Sequence, residues 1–264
     1  MSSILLPDMA GSPAQQSFAL SYFSAHKRAR ATIILLWIGI VIHVLAIFLQ
    51  LAGVLLPAVD PSQPAENPLS ALTLLTHSLL TLLSVAVYIA TAIVFLVWLH
   101  NASSNLTAFG AQGRFISYSP GWAVGSFFIP IANLFMPYQA IKEVWQKSQP
   151  PSDEAMFASS LSPPGWFPAW WGFWLASNFV GNIYFRLTTD VISREVIFSF
   201  GVVLNVITII AGWLATMVVN DIDQRQTLAA AEIAQPSGGP LPPPPPVFEN
   251  PIASPSTQSA QGND

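Results

Sequence analysis

The sequence predicts an all-α fold: a polytopic integral membrane helix bundle, with four transmembrane helices and one proline-broken membrane segment. Three observations carry that prediction. Only 8% of the 264 residues are charged and 52% are hydrophobic, whereas a soluble domain carries roughly 25% charged residues because its surface faces water. Several apolar runs exceed the ~20 residues that cross a hydrocarbon core. Within those runs the polar residues recur every three or four positions, which puts each set on one helix face.

Taken in order, residues 1–16 are polar and proline-punctuated and predict a disordered N-terminal tail. The membrane helical domain covers residues 17–235. Ser17–Arg30, with Phe18, Tyr22 and Phe23, suits a short interfacial helix leading into the first span. That span, residues 31–56, reads "ATIILLWIGIVIHVLAIFLQLAGVLL"; it is too long for a signal-peptide core, and no small-residue cleavage site follows. The second span is residues 69–99, most apolar over Leu79–Leu99. The third, residues 166–187, begins with Trp166, Trp170, Trp171 and Trp174, a cluster suited to the aromatic belt at a membrane surface. The fourth is residues 196–219. Beyond it, "NDIDQRQTLAAAEIAQ" favours continued helix until Pro236. Residues 236–264 form a low-complexity, disordered Pro-rich tail. Its Pro242–Pro246 run suits a polyproline helix, either simply solvated or read by an aromatic groove.

Charge sets the orientation. Lys27, Arg28 and Arg30 crowd the start of the first span, and the loop between the first two spans has neither Lys nor Arg. The positive-inside rule therefore puts the N-terminus in the cytoplasm of a multi-pass plasma-membrane protein. The segment over residues 119–147 leaves two topologies open. It is apolar enough to enter a membrane, but Pro130 removes a helical hydrogen bond and clashes with the preceding turn. Gly121–Met136 would reach only about 24 Å as a helix. A broken or re-entrant path keeps both termini cytoplasmic; a kinked crossing sends the C-terminus outside. After Pro137, "PYQAIKEVWQKS" places Tyr138, Ile141, Val144 and Trp145 on one side, with Lys142, Glu143, Gln146 and Lys147 elsewhere. That pattern predicts an interfacial amphipathic helix.

The polar stripes are Gly39, His43, Ala46, Gln50 and Gly53 in the first span, and Thr73, His77, Thr81, Ser84, Tyr88 and Thr91 in the second. Gly201, Asn205, Thr208, Gly212 and Ala215 form another in the last. In lipid, small residues let helix backbones approach and polar side chains seek one another, so each stripe reads as a packing seam. His43, Asn178 and Asn205 fall near the middle of their spans, with Asn182 a turn beyond Asn178. They define a candidate mid-membrane polar pocket of the kind transporters use, or hydrogen bonds that only hold helices together.

Other functions are argued against by what the sequence lacks. A net charge of -4 shows no nucleic-acid footprint. The chain contains no cysteine, which excludes disulfides, thiolate metal sites and cysteine lipidation. No carboxylate sits in the central part of a span, which argues against ion or proton coupling. There is no His-Glu-x-x-His, no phosphate-binding glycine loop and no Gly-x-Ser-x-Gly. We therefore expect no catalytic residues, no metal and no cofactor.

The stretch "SPGWAVGSFFIPIANLFMPYQAIKEVWQKS" closely resembles the signature of a bacterial membrane family catalogued as domain of unknown function 4328. The likeness extends to "VWLHNASSNLTAFGA", "WWGFWLASNFVGNI" and "IDQRQ", and covers roughly Arg30–Leu228. It implies an integral membrane domain and brings no activity or ligand with it. The motif maps onto Pro120, Gly121, Trp122, Pro130, Asn133, Pro137, Tyr138 and Gln139. Those residues either shape a broken helix, with Asn133 satisfying freed backbone groups, or let Asn133, Tyr138 and Gln139 line a site. The expected function is a non-enzymatic membrane module. Its partners are the lipid bilayer and, through the seams, a second copy or another membrane protein. The competing expectation is a channel or facilitator for a small polar or amphiphilic molecule.

Overall fold

The computed structural model describes residues 22–55, 68–109, 116–149, 162–189 and 194–234. The two tails expected to be disordered, residues 1–16 and 236–264, lie outside the described residues. The described chain is all-helical, with six α-helices: α1 His26–Leu55, α2 Pro68–Ala108, α3 Pro120–Gly125, α4 Met136–Lys147, α5 Trp166–Thr189 and α6 Arg194–Ala234. Two 3-10 turns, Ser126–Phe128 and Ala132–Leu134, link α3 to α4.

Among the described residues, three helices are long and apolar enough to cross a membrane: His26–Ala52 of α1, Ala71–Ala108 of α2 and Val196–Ala234 of α6. The fourth expected span forms a helix of 24 residues but is not among the three. Its tryptophans, with Asn178 and Asn182, lower its hydropathy. A second difference concerns the approach to α1. Residues 22–25 are not helical; instead the Phe23 N–H donates to Asn105 Oδ1 at 3.0 Å, and Asn105 Nδ2 donates to Phe23 O at 2.9 Å. Both backbone groups of Phe23 are thus held by a side chain of α2, and the first acceptor of the α1 ladder is Ala25 O, which takes the Arg28 and Ala29 N–H groups at 3.0 and 2.9 Å.

The long helices pack side by side in the order α2, α1, α6, α5. The α3–α4 segment closes the gap between the two outer members. Phe127 meets Phe95 of α2 at 6.0 Å and Trp171 and Trp174 of α5 at 6.3 and 6.1 Å, all edge-on, the favoured geometry for aromatic rings. The core lies at this end of the molecule, called basal below. It contains Trp98, Leu99 and Leu106 of α2, Ile141 and Val144 of α4, Phe167 of α5, and Val218, Val219 and Ile222 of α6. At the opposite end the flanks of α2 and α5 are exposed, with Leu72, Leu75, Leu79 and Leu82 on one and Phe179 and Phe185 on the other.

The α1 and α6 stripes face one another across a shared seam. Gly201, Asn205 and Ala215 are buried, and Gly39, His43, Ala46, Gln50, Thr208 and Gly212 are half-buried. Meanwhile Trp37, Val41, Leu45 and Phe48 point outward. Glycine lets the helices approach closely at two points. A Cβ on Gly212 would stand 3.3 Å from Ile40 Cγ1, and one on Gly201 would stand 2.9 Å from Gln50 Nε2. The α2 stripe departs from the expected pattern. Thr73, His77, Ser84 and Thr91 are half-buried, but Thr81 and Tyr88 are exposed.

The proline-broken segment forms a hairpin. Ser119 caps α3, its Oγ accepting from the Trp122 N–H at 3.3 Å, with Pro120 in the first turn where its missing N–H costs nothing. Ile129 is extended at φ -99° and ψ 113°, as steric clash with a following proline demands. The chain then returns through α4. Glu143 closes the loop: Oε1 accepts from the Ser117 N–H at 2.7 Å and Oε2 from the Tyr118 N–H at 3.0 Å. Start and finish of the hairpin are thus one carboxylate apart. The expected interfacial helix is corrected in one respect. On its apolar side Ile141, Val144 and Trp145 pack into the protein core and Tyr138 is half-buried, and Glu143 and Lys147 are buried too, at 7% and 8% exposure. The open N–H groups of the non-helical Ser117–Tyr118 draw the carboxylate inward.

The contrast between two glycines of the seam tests this packing. Gly212→Leu is expected to destabilise the chain by about 1–3 kcal/mol through overpacking. Gly39→Ala, with nothing within 4 Å of its added Cβ, is expected to leave thermal unfolding in detergent unchanged.

Candidate functional site

Of the seven candidate pocket residues, the structure joins two directly. His43 Nδ1 lies 2.7 Å from Asn205 Oδ1, and Asn205 Nδ2 donates to Gly201 O at 2.9 Å. Because the amide nitrogen is committed to a carbonyl, the amide oxygen must accept. His43 therefore donates through Nδ1, and its Nε2 takes no part in this contact. No hydrogen bond to that Nε2 is made among the described residues.

The other five are distributed over two elements. On α5, Asn178 is exposed and donates to Trp174 O of its own helix at 2.7 Å. Asn182, also exposed, accepts from Arg186 Nε at 3.0 Å. In the hairpin, Gln139 is exposed and accepts from the Tyr118 hydroxyl. Tyr138 is half-buried, its ring 6.0 Å from that of Phe167. Asn133 Oδ1 is buried without a hydrogen-bond partner. Trp171 Nε1 donates to Leu134 O, four residues past Pro130, at 2.9 Å. A shallow open groove of about 420 Å³ lies beside α3, lined by Ser119, Gly121, Trp122, Gly125 and Ile129, none of them a candidate. Among the described residues, no three His, Asp or Glu side chains converge where they could hold a metal ion.

The densest polar chemistry lies at the basal end, which reading the sequence did not single out. Asn105 Nδ2 donates to Gln226 Oε1 at 3.1 Å, and Gln226 Nε2 donates to Ala102 O at 2.8 Å and to Ser148 Oγ at 3.1 Å. The side chains of Asn105, Gln226 and Ser148 are buried. One amide pair thereby ties α2, α6, the end of α4 and the Phe23 backbone together. Beside it, His26 Nδ1 lies 2.6 Å from Asp223 Oδ2, linking α1 to α6. Trp145 Nε1 donates to Asp221 Oδ2 at 2.5 Å. The same carboxylate accepts from Arg225 Nε at 3.3 Å, while the Arg225 guanidinium lies 3.9 Å from the centre of the Trp145 ring, a cation–π arrangement. Lys147 Nζ meets Glu143 Oε1 at 2.5 Å.

The edge of this network is apolar. Tyr22 packs against Phe109 at 5.6 Å between ring centroids. Burial pushes the Tyr22 phenol above its ordinary value of 10.0; the Asp223 charge adds to the rise and a hydrogen bond with Ser24 opposes it. The sequence signal for the basal network is present in hindsight. Asn105 lies beyond the apolar run of α2. Asp223 and Gln226, three apart, lie beyond the run of α6, both inside "IDQRQ".

The hairpin clasp tests the weight of these contacts. Glu143→Ala removes the carboxylate shared by the buried Lys147 ammonium and two backbone N–H groups. It is expected to cost about 3–5 kcal/mol, the range for breaking one side of a buried ion pair. Lys147→Met leaves the carboxylate with its two N–H partners and is expected to cost distinctly less. Thermal unfolding of both variants in the same detergent measures the difference; equal losses would contradict the clasp.

With the geometry described, comparison with known proteins places the chain. No curated protein and no solved structure matches it. A family model described as Domain of unknown function (DUF4328) matches residues 69–224. That region runs from the start of α2 through the hairpin and α5 to the Asp221 and Asp223 end of α6. The match covers more than half of the chain and includes the hairpin that carried the likeness in sequence, so the chain belongs to the DUF4328 family.

Proposed function

We propose that this family member is a four-span plasma-membrane module, its N-terminus cytoplasmic, that acts without catalysis by assembling with a second copy of itself. Three helices have the length and apolarity to cross. The fourth crossing is α5, whose 24 residues reach about 36 Å at ~1.5 Å per residue, and whose tryptophans suit the membrane surface. In this reading the hairpin enters the bilayer from the basal side and returns. Its exposed tip residues Phe128, Ile131 and Leu134 face lipid, while the Ser117 and Tyr118 N–H groups and Leu134 O of its irregular backbone are bonded to protein side chains, as a membrane favours.

The observation that carries assembly is Tyr88. It sits within the apolar stretch of α2, is 59% exposed, and its hydroxyl has no hydrogen-bond partner among the described residues. Neighbouring Ser78 and Thr81 satisfy themselves on Leu74 O and His77 O of their own helix, at 2.9 Å each. An unmet phenol in hydrocarbon favours a helix that brings a partner. The α1 and α6 seams do not serve this purpose, because they are spent on each other.

A second reading, a facilitator for a small polar or amphiphilic molecule, draws on the free Nε2 of His43. It needs a path to that atom, and the shallow groove beside α3 does not contain it. One experiment addresses the leading proposal. In membranes washed with alkaline carbonate, a Thr81→Cys chain is expected in the pellet and to form disulfide-linked dimers on mild oxidation. Adding Tyr88→Phe is expected to reduce the dimer fraction several-fold. Release into the wash would refute the membrane placement. Retention without cross-linking would refute self-assembly through α2.

A further inference from the structure

We propose that one face of α1 is a binding strip for a single anionic phospholipid, with its phosphate held by Lys27 and Arg30 and an acyl chain lying along Ile34, Trp37 and Val41. The inference rests on the membrane reading above.

Helix geometry defines the strip. At about 100° per residue, positions 27, 30, 34, 37 and 41 recur on one side of an α-helix. The apolar members are all outward: Ile34 is 57% exposed, Trp37 48% and Val41 54%. Lys27 and Arg30 are exposed at its foot. The opposite side of α1 carries Ala29, Thr32 and Ile40, which are buried. Val41 lies about 16 Å above Arg30, close to the ~15 Å depth of one leaflet's hydrocarbon. The face therefore presents a cationic foot and an aromatic and aliphatic shaft of the length of one acyl chain.

Charge argues for an anionic occupant. The nearby carboxylates are committed: Asp223 to His26, Asp221 to Arg225 and Glu143 to Lys147. Neither Lys27 nor Arg30 has an ion pair among the described residues. Both stand in the first turns of α1, where the helix dipole is positive and disfavours cations, and the first turn holds no acidic residue. A phosphodiester there answers two unmet requirements together. Arg28, also exposed, lies about 100° around the helix from Lys27 and off the strip, which makes it an internal control.

The test uses the full chain in neutral detergent with added lipid, read by thermal stabilisation and by lipid retained on native mass spectrometry. Phosphatidylglycerol is expected to stabilise the chain and to be retained over phosphatidylcholine of the same acyl chains. Glycerol phosphate, the soluble headgroup alone, is expected to do neither. At about five-fold per charge, K27Q/R30Q should weaken phosphatidylglycerol binding about 25-fold, and R28Q much less. Trp37→Ala should remove the preference for long over short acyl chains. The proposal is overturned by equal retention of the two lipids, by an unaffected K27Q/R30Q chain, by equal losses in R28Q and K27Q/R30Q, or by full stabilisation with glycerol phosphate. A chain that pellets with carbonate-washed membranes yet shows no headgroup preference defeats the lipid strip and leaves the membrane reading standing.

Discussion

Hydrocarbon offers no hydrogen bonds, and a chain that enters it must satisfy each polar group from within itself. The Pro130 break makes this constraint acute, because it interrupts the one secondary structure that satisfies a backbone locally. The molecule answers with side chains brought from a distance. The Trp171 indole reaches the Leu134 carbonyl, and the Glu143 carboxylate takes the Ser117 and Tyr118 N–H groups. Backbone bonds within the turn, Asn133 N–H to Ile129 O, Leu134 N–H to Ile131 O and Phe135 N–H to Ala132 O, add to these, and Asn133 Oδ1 is left without a partner among the described residues. A segment solvated in this way can fold back without water. The same contacts fasten it to α5 and to its own beginning.

From that clasp the basal architecture follows. With the hairpin held between α2 and α5, Trp145 reaches Asp221 and Ser148 reaches Gln226. The amide of Asn105 then holds the Phe23 backbone just before α1. Five stretches of chain are joined by these buried polar contacts, while Trp98 Nε1 and Asn101 Nδ2, buried at the same end, have no hydrogen-bond partner among the described residues. The opposite end has no comparable network. Its exposed side chains are mainly apolar, with Tyr88 the polar group most clearly out of place.

Much of the fold was legible because the physics is local. Long apolar runs have to be helices in lipid, and small or polar residues at spacings of three and four marked the α1 and α6 seam correctly. What spacing cannot supply is the identity of a partner. His43 and Asn205 are 162 positions apart, and nothing in either helix alone says that they meet. The same periodicity on α2 did not reveal that Thr81 and Tyr88 turn outward. Glu143 and Lys147 read as a water-facing side because periodicity sees only their own helix, and not the unsatisfied N–H groups 25 and 26 residues earlier. The basal network was overlooked for a related reason. Polar residues past the end of an apolar run look like a helix leaving the membrane, whereas α2 and α6 continue as helices and bury Asn105 and Gln226 between them.

The central claim is that the Pro130 segment turns back to its own start and does not cross. Spin labels on cysteines replacing Ser117 and Lys142, in a chain that has no cysteine of its own, measure this directly in a lipid nanodisc. The account requires a single short distance distribution, far below the ~30 Å thickness of the hydrocarbon core. A distribution centred at or beyond that thickness would mean that the segment spans the bilayer, and the clasp at Glu143 would then be wrong.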